Sequence, residues 1–445
     1  MTIDGDAKVT FTGALTGIST IDASKAAAGT SVIIDTGIAV KFTGGAGNDT
    51  VNVGAAGITV GDLLDAGAGA GDRLITSQAI AKADGAGIKG FELLDIQAAV
   101  TQDVDALVAN NTFTQINIGT AGATVNNINA GAINNITMSA DDVAATTLTG
   151  KGFIAGGITD TATLILNDEI ATNGVDLASL TFANVDVLNI VSNSGGTPDG
   201  LYASDFNVIT TLEATDLDVI NVSGDEGIDI TLGFGTTSLT VVDASTNTGG
   251  LRFIATAVTL INVKGSTSAG ALGGDYINAS GAGTAATIQG NAGGDVILLN
   301  SAVADTVKFV AGTDSIVGVT GGNNNFDIIQ GLTAASASVF DISAIGGFTG
   351  SQATILDRSA VGVNANVTTA TLGVDAGAAS NWFVDLGNIN RGVVIVDLDG
   401  TGGASNNYAV YVDANHNGAF DAATDLAFRV NLAGGPLTAA EFVFA

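Results

Sequence analysis

The stretch GGAGNDTVNVG, Gly44 to Gly54, places four glycines, one carboxylate and two alternating valines within one short segment. Residues 44–52 match the pattern G-G-x-G-x-D-x-U-x at every defined position, where U is a large apolar residue. The chemistry of each slot points to a turn that could hold calcium and then feed a strand. Calcium takes six to eight hard oxygen ligands. Glycines permit positive φ, so that carbonyls can be turned toward one ion. Asp49 supplies charge, and Val51 anchors the following strand. A phosphate cradle fits poorly. A dinucleotide loop opens a helix, and a P-loop ends in Lys and Ser or Thr, whereas here Asp-Thr-Val-Asn-Val leads into a strand.

Copies of the turn strengthen the reading. Gly290 to Leu298 repeats it with Asn291 in place of one glycine, and keeps Gly293 and Asp295. Weaker copies end at Asp229 and at Asp275, the latter preceded by Gly273. Asp72, in GAGAGDRLI, lies one residue out of register, and Asp314 retains only Gly-x-Asp. The steps from Asp275 to Asp295 and on to Asp314 are 20 and 19 residues, about one coil of two strands and two turns. Turns spaced in this way could stack and share ions.

Between the turns a strand phrase recurs: LLDI at Leu93–Ile96, VLNI at Val187–Ile190, VINV at Val219–Val222, LINV at Leu260–Val263 and a looser QINI at Gln115–Ile118. A second phrase appears as TIDAS (Thr20–Ser24) and VVDAS (Val241–Ser245). Each run is too short to bury a core alone, and stacking them makes one. The expected fold is all-β: a parallel β-solenoid or β-roll body over residues 1–347, with irregular coils and little helix. One short helix is expected in VTQDVDALVANN, where Val100, Val104, Leu107 and Val108 share a helical face. Near residues 347–350 the composition changes. The longer alternating strands RGVVIVDLDG and NYAVYVDANHNGAFD point to an antiparallel β domain over 348–445. Thr438 and Glu441 have capping-box spacing.

Composition narrows the function. The 445 residues carry 44 acidic and 13 basic side chains, a net charge of −31, yet 46% are hydrophobic. Disordered acidic chains lack such apolar content. A folded chain this acidic calls for cations to offset its self-repulsion, and it lacks the basic clusters that nucleic acid requires. There is no cysteine, which excludes a disulfide framework, and one histidine, His416, which excludes a multi-histidine metal site. The first residues lack a basic start and an apolar core, so no amino-terminal secretory signal is expected, and no segment has the length of a membrane span.

In these turns and this composition the chain resembles the RTX, or hemolysin-type calcium-binding, repeat proteins. The resemblance implies a parallel β-roll with calcium between stacked turns and export by a type I system through an uncleaved carboxy-terminal signal. The ending, YVDANHNGAFDAATDLAFRV followed by LTAAEFVFA, is similar to the tails of such proteins. The sparse motifs, the long Thr/Asn/Ala-rich body and the scarcity of Lys resemble the RTX-type surface-layer proteins of Gram-negative bacteria.

A second calcium candidate lies in DANHNGAFDAATD. Asp413, Asn415 and Asn417 alternate, Gly418 provides the bend, and the Ala419 carbonyl and Asp421 follow, as in an EF-hand loop. The usual Glu at loop position 12 is missing. Thr424 stands there, with Asp425 one residue later. His416 reads as a solvated turn residue and not a ligand. No catalytic constellation emerges: the chain has no H-E-x-x-H and no G-x-S-x-G. The pairs Asp141/Asp142 and Asp168/Glu169 are sequence neighbours whose members would face opposite sides of a strand. Sugar chemistry would want aromatic platforms, and only Trp382 and 5% aromatics are present. No regular T-x-T ladder is visible that would favour ice binding. The sequence thus points to a non-enzymatic, secreted, calcium-dependent structural protein that assembles with itself as a surface layer or filament. Cell-surface polysaccharide and the type I secretion machinery are further partners. An adhesin or biofilm-matrix protein is the alternative, and a polysaccharide-active β-helix enzyme ranks below it.

Overall fold

The computed structural model describes residues 1–34, 37–119, 122–156, 159–167, 174–193, 206–256, 258, 261–268, 274–317, 324–350, 354–357, 383, 390–398 and 407–444. Gly273, Asp168, Glu169 and Trp382 lie outside them. The chain forms two compact units, Met1–Gly196 with Val208–Leu217 and Thr197–Asn207 with Asp218–Ala445.

The first unit is built from short parallel strands laid coil upon coil. The strands Thr30–Ile33, Thr50–Asn52, Arg73–Thr76, Leu93–Ile96, Gln115–Ile118, Ile136–Met138, Thr161–Asn167 and Val187–Asn193 follow one another in one sheet. Register places Val32, Val51, Leu74, Leu94, Ile116, Ile136, Leu164 and Ile190 in a single inward column. All eight are fully shielded from water. Burial of an aliphatic side chain contributes about 1.5–3 kcal/mol, so this column is a principal source of the unit's stability. The strand phrases LLDI and QINI are successive rungs, and VLNI lies in the same sheet.

The second unit repeats the design. Ile220, Val242, Val263, Ile288, Val307, Phe340 and Phe442 form one inward column. Ile230, Phe253, Ile277, Ile297, Ile329 and Val430 form another. The composition break at residues 347–350 therefore lies inside this unit: Leu426–Ala433 pairs in parallel with Asp327–Thr333, and Phe442–Val443 with Val339–Asp341. The expected antiparallel strands are present beyond that junction. Leu426–Ala433 pairs antiparallel with Asn407–Val412, which pairs antiparallel with Val393–Asp397. They close over a core that includes Phe326, Phe383, Val394, Tyr411 and Phe420.

Helix is confined, among the described residues, to Lys82–Gly85 and Ala130–Ile133, plus short 3-10 turns. No described helix is long and apolar enough to cross a membrane. The helix expected in 100–111 is not formed. Thr101–Asp103 is a strand and Val104–Ala106 a single 3-10 turn, capped by Asp103 accepting from the Asp105 N–H. The apolar spacing there is satisfied by burying Val104 and Leu107 under the coil, and strand pairing with Thr124–Asn126 overrides the helical period. The capping box forms as expected: Ala440 N donates to Thr438 Oγ1 and Thr438 N donates to Glu441.

Candidate cation sites in the stacked turns

In the first unit Asp49 lies just before the strand Thr50–Asn52. One carboxylate oxygen accepts from Thr30 N on the preceding coil (2.5 Å), and the other accepts from Gly45 N in its own turn (2.9 Å). Asp49 N donates to Asp72 Oδ1 on the next coil (2.6 Å), and Asp72 N donates to Glu92 (2.9 Å). The turns therefore align their acids in a file, one per coil, each capping the backbone of the coil before it. Asp72 belongs to this file despite its slipped motif, and Glu92 joins it without any motif at all. Burial raises the Asp49 carboxyl, offset by the N–H groups of Gly45 and Thr30. Burial, together with the charges of Glu92 and Asp49, pushes Asp72 up to about 6. Asp72 Oδ2 is buried without a hydrogen-bond partner.

The second unit carries a matching file. Asp275 accepts from Leu251 N (2.7 Å), Ser266 N (2.5 Å) and Ser266 Oγ (2.7 Å). Asp275 N donates to Asp295 Oδ1 (2.7 Å), Asp295 N to Asp327 Oδ1 (2.9 Å), and Asp327 N to Ser315 Oγ (2.6 Å). Asp295 is completely buried, and its Oδ2 has no hydrogen-bond partner. Burial and the neighbouring Asp275 charge raise Asp295 well above the ordinary carboxylate range. Burial and the Asp295 charge do the same to Asp327, and burial pushes Asp275 up to about 6. The ion pairs among the described residues are Arg73–Asp95, Lys89–Asp65, Lys151–Asp105, Arg252–Asp229 and Lys264–Asp243, and none of them serves either file.

The glycines act differently from the sequence expectation. Gly45 and Gly47 do not adopt positive φ. They are required because the coils touch: a Cβ on Gly45 would stand 2.1 Å from Ala26 O, and one on Gly47 2.3 Å from Gly29 N. The Gly45 carbonyl accepts from Ala68 N on the next coil (2.8 Å). Gly293 does take a positive φ of 142° and packs on Gly274. Among the described residues no group of three or more Asp, Glu or His side chains converges tightly enough to hold a metal. An ion in either file would therefore draw on backbone carbonyls as well as carboxylates. The donor set present, hard oxygens with one bare buried carboxylate oxygen, fits calcium and not a softer metal.

Asp229 stands apart from both files. It lies on the strand Ile228–Leu232, not in a turn, and pairs with the Arg252 guanidinium, which offsets the upward push of burial. The loop from Asp413 to Asp425 closes on itself. Asp413 accepts from Asn417 N (3.0 Å) and Gly418 N (2.8 Å), and Asp421 accepts from the side-chain amides of Asn415 (2.8 Å) and Asn417 (2.6 Å). Ala419 N donates to Asn417 Oδ1 (2.8 Å). Asp425, not Thr424, supplies the closing carboxylate: it accepts from Ala414 N (3.1 Å) and Asp421 N (2.8 Å), and burial with the Asp413 and Asp421 charges pushes it up to about 6. His416 is not a solvated turn residue. Its Nε2 lies 2.9 Å from Gly346 O, and its ring meets Phe348 edge-on at 4.6 Å.

The first unit aligns threonines across its coils, although the sequence shows no regular T-x-T ladder along the strands. Thr101, Thr124, Thr147 and Thr181 are register partners on four successive coils, and Glu213 is the register partner of Thr181 on the next. They stand at about 4.8 Å intervals, the spacing of paired strands. No known family model matches the chain, and no curated protein matches it.

Proposed function

We propose that the chain is a calcium-stabilised structural protein of the extracellular surface that assembles with itself into a layer or filament. The observation that carries this reading is the file Asp275–Asp295–Asp327, in which buried carboxylates follow one another without a basic partner and one oxygen of Asp295 is bare. Buried like charges are strongly unfavourable unless paired. A hard divalent cation would neutralise them, with Asp275 and Asp295, or Asp49 and Asp72, supplying charge. The chain's own part is to stack the turns, fix each carboxylate through N–H bonds and exclude water. Where calcium is scarce, repulsion within the files keeps the coils open for export, which on the RTX resemblance proceeds through type I machinery. Where calcium is abundant, the coils close and subunits join. The test is light scattering and electron microscopy of the purified protein with calcium, with magnesium and with chelator. Ordered assemblies in calcium alone support the reading, and calcium-independent behaviour overturns it.

A second reading, an adhesin, is favoured by the threonine column. A row of four threonine hydroxyls, ending at Glu213, in a chain of net charge −31 suits a neutral, hydroxylated partner such as a polysaccharide. Monomers that sediment with polysaccharide in calcium, and lose that property in Thr147→Lys, would favour it over self-assembly.

A further inference from the structure

The acid file of the second unit does not end at Asp327. Asp327 N donates to Ser315 Oγ (2.6 Å), and Ser315 Oγ in turn donates to Ala427 O (2.6 Å). Ala427 N donates back to Ser315 O (2.8 Å). Ser315 is fully buried, so these bonds have no water to replace them. The residue thus stands between the carboxylate file and the first residues of Leu426–Ala433, the strand that enters the sheet beside Asp327–Thr333. Gly312, three residues earlier, packs against the same region: a Cβ there would meet Thr424 O at 2.2 Å and Ala414 Cβ at 2.6 Å. The segment from Gly312 to Ser315 is therefore wedged between the file on one side and the carboxy-terminal strand on the other. Asp314, within it, folds back to accept from Val310 N (2.7 Å) and Ala311 N (3.1 Å).

We propose that Ser315 couples cation occupancy of the Asp295–Asp327 file to docking of the carboxy-terminal strand Leu426–Ala433. This rests on the calcium reading of the file. The bare Asp295 Oδ2 makes the file respond to a cation. Without one, repulsion between Asp295 and Asp327 loosens the Asp295 N to Asp327 Oδ1 link. Asp327 then no longer holds the Ser315 hydroxyl, and the strand that Ser315 grips at Ala427 is released. With the file neutralised, Asp327, Ser315 and Ala427 lock in sequence. Calcium would thus decide when the carboxy-terminal strand joins the sheet.

Amide hydrogen exchange on the full chain, with calcium and with chelator, tests the coupling. In the unsubstituted protein calcium should slow exchange over residues 426–433, by up to about a hundredfold at calcium a hundred times above Kd. Asp295→Asn should lose that slowing. Ser315→Ala should lose it too while keeping the calcium stoichiometry of the unsubstituted protein. Asp105→Asn, which removes one carboxylate of the first unit, paired with Lys151 and outside both files, should keep it. Full slowing over 426–433 in Ser315→Ala overturns the coupling, whatever Asp295→Asn does, and leaves the calcium reading standing. Loss of slowing in Asp105→Asn as well assigns the effect to overall charge and likewise overturns it. An unsubstituted protein that shows neither calcium binding nor slowing overturns the calcium reading itself.

Discussion

The turn at Asp49 matches the calcium-turn pattern at every position, and the turn at Asp295 departs from it at Asn291. Their environments rank the other way. Both oxygens of Asp49 are taken by backbone N–H groups, whereas Asp295 keeps one oxygen bare, lies between Asp275 and Asp327 and is pushed far above the usual carboxylate range. Fidelity to the pattern therefore reports how well coils stack, since the glycines are needed where backbone meets backbone. The demand for a cation is set by something else: how many carboxylate lone pairs the N–H groups leave over, and how many acids share the file.

The largest effect that bears on this difference is removal of calcium. Each site saturated a hundredfold above its Kd stabilises the fold by about 2.7 kcal/mol. Melting in chelator should therefore fall by several such steps, with magnesium a poor substitute. Unchanged melting would leave both files as purely structural caps. Next in size is the stacking itself. Gly45→Ala forces a Cβ to 2.1 Å from Ala26 O and should destabilise by about 1–3 kcal/mol even in calcium. Gly13→Ala, where nothing lies within 4 Å, should stay within about 0.5 kcal/mol. Denaturant midpoints compare the two.

The two aspartates should respond to the same substitution with opposite signs. Asp49→Asn replaces one acceptor with an amide that faces the N–H of Thr30 or Gly45, at about 1–3 kcal/mol in chelator. Asp295→Asn removes a buried charge and opposes no donor, so it should raise the melting temperature in chelator while lowering the calcium increment. Equal signs would mean that the bare oxygen has no energetic consequence. Acidification probes the same contrast without mutation. The folded-state values of Asp72 and Asp275 stand at about 6 against 3.8 when unperturbed, and Asp295 and Asp327 lie higher than their unperturbed value. A raised folded value means stability that is complete below about pH 4 and lost as pH rises through about 6. In chelator the protein should thus melt higher at pH 5 than at pH 7. In calcium the ion competes with the protons, and the rise should shrink or reverse.

Much of this was legible in the sequence because it depends on local chemistry. Alternating Val, Ile and Leu runs forecast the inward columns, Gly-x-Asp spacing placed Asp49, Asp275 and Asp295 in stacked turns, and a copy one residue out of register did so for Asp72. Glu92, Asp327 and Ser315 were hidden because they enter the files through register between coils of unequal length, which no fixed period records. The threonine column was hidden for the same reason. Thr101, Thr124, Thr147 and Thr181 align in space although the coils that separate them differ in length. Asp229 failed in the opposite direction: its local sequence resembles a turn, but strand pairing to Arg252 places it on the sheet face. The helix expected at 100–111 was lost to the same kind of pairing.

The smallest expected effect concerns the carboxy-terminal loop, where the acids are already satisfied by N–H groups, as at Asp49. Asp425 binds Ala414 N and Asp421 N from a fully buried position, so Asp425→Asn should destabilise by about 1 kcal/mol. Thr424 accepts only the exposed Asn415 amide (3.2 Å), and Thr424→Ala should change stability by less than about 0.5 kcal/mol. Calcium titration of both variants then separates two loop geometries. If Asp425→Asn weakens binding and Thr424→Ala does not, the loop closes one residue later than an EF-hand. If Thr424→Ala alone weakens it, closure follows the twelve-residue EF-hand pattern and Asp425 is a structural cap. If neither variant matters, the loop's oxygens are engaged by its own backbone and none is left for an ion.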